Sequence, residues 1–254
     1  MKRFLLILMF ASALYGSDEL SNFSNGNDAF EAGNFSGAIT NYQAQLETGL
    51  TSPALHFNLA HASYEAGQLG RSIFHYRRTL TLAPRDGDAQ QNLGRVRDEV
   101  HNGTPPKAGF WRRLTGYFTI NEWTLAAATL LTIWWLWLAA INWRPQWRKR
   151  GAVVRPIIGT AAVILAAVAI LSLRLETNQP WAVVVENEVS VRYGPVGASP
   201  EQFKWFDGAE LRVRDTHTAN GVEWILAQDP PGRQGWLPAK AVLRPNRRIM
   251  THFR

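Results

Sequence analysis

A block of the chain repeats itself at an offset of 34 residues: Gly26, Ala29, Phe30, Gly33, Ala38 and Tyr42 return as Ala60, Ser63, Tyr64, Gly67, Ser72 and Tyr76. A period of this length marks stacked helical hairpins, each of which needs a neighbour to bury its apolar face. Small residues at these places let the two helices of a hairpin approach closely. Tyr42 and Tyr76 fill the gap between them, and Gly33 and Gly67 turn the chain. Pro84, two residues after Leu82, falls where a second helix stops. A third unit begins and is not completed: Asn58-Leu59-Ala60 becomes Asn92-Leu93-Gly94, followed by Val96, Val100 and a polar run from His101 to Lys107. One capping helix and a linker are expected there.

The period and its small-residue positions resemble the tetratricopeptide repeat over residues 19 to 86. An all-α repeat domain is expected over 19–103, with a linker over 104–118. Such repeats imply protein binding and are rarely catalytic. The first helix of each pair should line the concave face, which places Phe23, Asn27 and Phe30 there, then Phe57, His61 and Tyr64. Asn58 and Asn92 match on successive helices, with Arg95 beside the latter. Repeats of this kind that clamp a carboxyl terminus carry lysines on this face, and here Phe23 and Phe57 take such places. A groove of aromatic and amide groups suits an extended segment, its backbone bonded by asparagine and its apolar side chains resting on the rings.

Almost half of the 254 residues are apolar, and they are clumped rather than spread. Lys2 and Arg3, an apolar run from Phe4 to Phe10 and small residues through Gly16 read as an export signal over 1–16. Trp123 to Trp143 and Ile157 to Leu173 then read as two transmembrane helices, over 119–143 and 157–174. Thr119-Ile120-Asn121-Glu122 has the spacing of a capping box at the start of the first. The second puts Ala162, Ala166 and Ala169 on one face, a stripe that allows close approach in lipid. The loop over 144–156 holds Arg144, Arg148, Lys149, Arg150 and Arg155 with no acid, which assigns it to the cytoplasm and both flanks to the periplasm.

The net charge of +7 gathers largely in that loop, since residues 1–120 carry 11 basic and 10 acidic side chains and residues 157–254 carry 11 and 9. No basic face with interleaved aromatics accompanies it, so nucleic acid is not an expected partner. Cysteine is absent, which excludes disulfides, zinc-thiolate sites and thiol catalysis. His56, His61 and Glu65 are the nearest approach to a catalytic or metal site, but no third ligand is visible. There is no phosphate-binding loop, nucleophile elbow or dinucleotide fingerprint. No cofactor, metal or catalytic residue is expected.

Beyond Pro180 the chain breaks into short β-rich strings: Trp181 to Val185, Glu188 to Arg192, Glu210 to Val213, Trp224 to Ala227, and Gly235 to Leu237 followed by Ala241 to Leu243. Val189-Ser190-Val191-Arg192-Tyr193-Gly194-Pro195, Phe206-Asp207-Gly208-Ala209-Glu210-Leu211, Trp224 and Gly232-Arg233-Gln234-Gly235-Trp236-Leu237-Pro238 resemble the bacterial SH3-like fold. That implies an all-β, five-stranded barrel over 181–245, with a basic tail over 246–254. Its candidate surface is Tyr193, Trp205 and Phe206, with Trp224 and Trp236 as core or groove wall.

The full order of signal, repeats, two membrane helices and SH3-like domain resembles the BatE proteins of the Bacteroides aerotolerance group. The resemblance implies a non-enzymatic inner-membrane component beside von Willebrand factor A-domain membrane proteins and a MoxR-type AAA+ ATPase, linked to aerotolerance or envelope stress. The alternative is a cell-wall sensor whose SH3-like domain binds peptidoglycan peptide.

Overall fold

The computed structural model describes residues 21–100, 116–143, 154–177 and 181–245. The expected signal segment and basic tail, and most of the expected linker and basic loop, lie outside the described residues.

Five helices open the fold: α1 Ser21–Glu31, α2 Phe35–Glu47, α3 Pro53–Glu65, α4 Leu69–Leu82 and α5 Gly87–Glu99. Among the described residues they form two helical pairs followed by one further helix, at the period read from the sequence. Gly33 and Gly67 turn each pair with φ of 72° and 73°, a region open to glycine at little cost. Tyr42 and Tyr76 are buried between helices, and a Cβ on Gly26 would strike the Tyr42 ring. Local chemistry starts most of these helices. Asn34 Oδ1 accepts from Gly37 N at 3.0 Å, Ser52 Oγ from Leu55 N at 3.1 Å, and Asp86 Oδ1 from Ala89 N at 2.9 Å. The residue before α4, Gln68, makes no such side-chain bond.

Seven strands follow: β1 Trp181–Val184, β2 Glu188–Arg192, β3 Glu201–Phe206, β4 Glu210–Ala219, β5 Val222–Gln228, β6 Gln234–Pro238 and β7 Val242–Leu243. They form one antiparallel sheet in the order β3-β2-β6-β5-β4-β1-β7. The expected five-stranded closed barrel is therefore corrected. Glu201–Phe206 is an additional strand paired along β2, the strings around Trp236 and Val242 are separate strands, and β3 and β7 remain as open edges. The sheet buries Val184, Val191, Trp205, Leu211, Ile225 and Leu237 in its core.

The sheet is built onto the helices. The apolar side of α5, with Leu93 and Val96 and with Val100 just beyond it, lies against the sheet. Val183, Trp181 and Leu243 close it together with Ile73 and Phe74 of α4. Asp207 supplies the cap that α4 lacks, its Oδ1 accepting from Gly70 N at 3.0 Å. Glu210, its side chain only 3% exposed, accepts from Arg77 at 2.9 Å and from Arg97 at 2.6 and 2.8 Å, while the Arg77 guanidinium lies 3.7 Å over the Trp181 ring. The helices of 21–100 and the sheet of 181–245 thus form one compact unit, and the helices between them form a second.

The second unit pairs α6 Ile120–Trp143 with α7 Val154–Thr177. Glu122 Oε2 accepts from Thr119 N at 2.8 Å and Thr119 Oγ1 from Glu122 N at 3.2 Å, the reciprocal bonds of the expected capping box. Ala162 and Ala169 are buried with Ala127, and Gly159 lets the Trp134 ring lie against the α7 backbone. The expectation of two membrane-spanning helices is corrected here. Among the described residues only α6, at 24 residues, is long and apolar enough to cross a bilayer. In α7 the apolar helix among those residues is the shorter Pro156–Ser172. That is about 25 Å of helix against a hydrocarbon core of about 30 Å.

Candidate protein-binding face

The first helices α1 and α3 carry aromatic and amide side chains in contact with one another, and α5 adds Asn92 and Arg95. The Phe30 and His61 rings lie 5.0 Å apart, and Phe57 meets His61 at 6.4 Å and Tyr76 at 5.5 Å, so rings run from α1 onto α3. Tyr64 continues the row to α5 by donating its hydroxyl to Glu99 Oε1 at 2.6 Å. That bond holds the Tyr64 phenol above its ordinary pKa, because ionising it would bring two negative charges together. Phe23 lies beside Tyr42 at 5.8 Å, half-buried at the start of the row.

The asparagines are placed less simply than the sequence suggests. Asn27 Oδ1 accepts from the Tyr42 hydroxyl at 2.8 Å and from Asn58 Nδ2 at 3.0 Å. Asn27 and Asn58 are therefore engaged with each other and with Tyr42 within the fold, and both are half-buried. Asn92 is half-buried and Arg95 exposed on α5.

His56 and His61 do not share a site. His61 Nε2 lies 3.5 Å from Glu65 Oε1 on the face, whereas His56 is buried with its Nδ1 3.0 Å from His75 Nδ1 and its Nε2 3.0 Å from Thr51 Oγ1. Ring centroids 5.3 Å apart with Nδ1 atoms at 3.0 Å mean that the imidazoles meet edge to edge, one nitrogen donating to the other. Burial lowers the His56 pKa to about 4, helped by Arg78, and holds His75 well below its ordinary value.

On the sheet, Trp205 is corrected from surface to core: it is 2% exposed and donates its indole N–H to Asp229 Oδ2 at 3.2 Å. Trp224 is also buried, Phe206 is half-buried, and Trp236 is half-buried with its ring edge toward His217 at 6.3 Å. Tyr193 alone of these five is well exposed, at 69%. Sequence reasoning missed Asp207 and Glu210, which read as turn and strand residues and in fact join sheet to helices. No protein-family model and no curated protein matches the chain.

Proposed function

We propose that the chain is a non-enzymatic scaffold of the bacterial inner membrane, which binds an extended segment of a partner protein on the face of α1, α3 and α5. The observation that carries this is the set of half-buried rings Phe30, His61 and Phe57, in contact across α1 and α3, with the Asn27 and Asn58 amides on the same two helices. A row of this kind offers stacking surface and backbone hydrogen bonds without a reactive group, which is the chemistry of peptide recognition. The reading places the helices and sheet in the periplasm and anchors them through α6, whose Leu125, Trp135 and Leu136 are exposed as lipid-facing side chains would be. On the resemblance to BatE proteins, the partners would be von Willebrand factor A-domain membrane proteins working with a MoxR-type ATPase in a response to oxygen or envelope stress.

A second reading, binding of cell-wall peptide by the sheet, draws support from Tyr193 and from Val196 exposed on the segment that follows it. Photo-cross-linking in intact cells separates the two. A cross-linkable residue in place of Asn92 should capture a membrane protein, and one in place of Tyr193 should not. Capture of peptidoglycan from Tyr193 with nothing from Asn92 would reverse the assignment.

A further inference from the structure

We propose that Asn220 is a site of spontaneous covalent modification, at which an uncharged amide becomes a carboxylate and part of the product carries a rerouted backbone. Asn220 and Gly221 form the turn between β4 and β5, next to the closing pair Ala219 and Val222. Both are exposed, and a Cβ on Gly221 would meet no atom within 4 Å. Asn220 is also the one non-glycine residue with positive φ among the described residues, at 51°. The reaction needs no reagent beyond water. Gly221 N bonds to the Asn220 side-chain Cγ, its proton leaves with the amide nitrogen as ammonia, and a succinimide ring closes. Water then opens the ring at either carbonyl. One product is aspartate, and the other is isoaspartate, in which the main chain runs through Cβ and Cγ.

The backbone at this turn suits the ring. Closing it holds Cβ, Cα and both carbonyl carbons near one plane, which sets ψ of the asparagine near about −120°; with a positive φ, that is the first position of a type II′ turn. The turn as it stands, with φ of 51° at Asn220 and 75° at Gly221, follows type I′. Both types join two-residue hairpins, so rotating the one peptide plane between Asn220 and Gly221 reaches the reactive geometry with the strands in place. Gly221 N lies outside the ladder, whose last pair is Ala219 and Val222. The same dipeptide at Asn25-Gly26 has no such route. Gly26 is buried in α1 beside the Tyr42 ring, and its N–H and negative φ belong to the helix, which must open before a ring can close. A third Asn-Gly pair, Asn102-Gly103, lies outside the described residues.

The test incubates the full chain in an uncharged detergent at neutral and mildly alkaline pH and follows its tryptic peptides by mass spectrometry. Cleavage after Arg214 and Arg233 separates Asn220 from the other Asn-Gly pairs. The Asp215–Arg233 peptide should show the mass change of NH2 replaced by OH, with isoaspartate reported by an isoaspartyl methyltransferase. It should convert at least about ten-fold faster than Asn25, since fraying a hairpin end costs less than opening a helix. The rate should rise with pH, because the attacking nitrogen has to lose its proton. In urea Asn25 should accelerate to the Asn220 rate. Asn220→Gly suits the same turn and should abolish the change. A mass change that survives in that variant belongs to Gln228 and overturns the assignment. So does an Asn220 that stays intact in the folded chain, or that converts no faster than Asn25.

Discussion

Gly70 has the least room of the described glycines. Its N–H donates to Asp207, and a Cβ there would drive into the Val184 carbonyl oxygen and the Asp207 carboxylate. The obstacle on one side is backbone, which cannot rotate away, so Gly70→Ala should cost at least about 2 kcal/mol through overpacking. A thermal melt followed by circular dichroism would register the loss, and an unchanged midpoint would mean that helix and sheet do not meet there. The His56 and His75 pair gives a pH signature. Both imidazoles resist protonation in the fold and take a proton near pH 6.5 once unfolded, so their contribution is complete above that value and declines as pH falls toward about 4. Asp207, raised first by burial, acts in the opposite sense, and only in the carboxylate range. Urea midpoints should drop between pH 7 and 5, and replacing both histidines by glutamine should flatten that slope. A slope unchanged in the double variant would place the titration elsewhere. None of this pairing was legible in the sequence, where His56 and His75 are 19 residues apart and fall outside the repeat comparison.

At the scale of elements, what the sequence reveals is what local chemistry dictates. The 34-residue period, the glycine turns and the Thr119 and Glu122 box are written in neighbouring residues and reappear in the helices. β3 was not legible because Glu201 and Lys204 interrupt its apolar pattern and Asp207-Gly208 follows as a turn signal, so only pairing with β2 makes it a strand. The β4 and β5 hairpin did leave a signal: Asn220 and Gly221 take φ of 51° and 75°, the conformation that Asn-Gly favours in a two-residue turn. What no local pattern carries is the contact between α5 and the sheet. Glu210 is buried between two arginines, so Glu210→Gln leaves both short of their counter-charge and should cost about 3 kcal/mol. Limited proteolysis should then cut within α5 before α3. Equal protection of the two helices would assign the stability of α5 to the repeat stack alone. Removing 181–245 altogether should expose Phe74, Val96 and Val100 and abolish binding at Asn92, even though the first helices remain in the chain.

For the whole molecule, the shared core of helices and sheet constrains membrane topology more firmly than loop charge does. Residues 21–100 and 181–245 pack as one unit, so they must lie on the same side of any bilayer that the intervening segment enters. The absence of cysteine makes this directly measurable. Single cysteines at Ser24 on α1 and Thr218 on β4 are both exposed and avoid the strained turn at Asn220. In intact spheroplasts the two should react alike with a membrane-impermeant maleimide. On the periplasmic assignment both should be labelled. Protection of both would invert the orientation and leave the fold untouched. Opposite behaviour of Ser24→Cys and Thr218→Cys would be more serious. It would require the chain to cross once between them, which the bonds from Asp207 to Gly70 and from Glu210 to Arg77 and Arg97 do not permit.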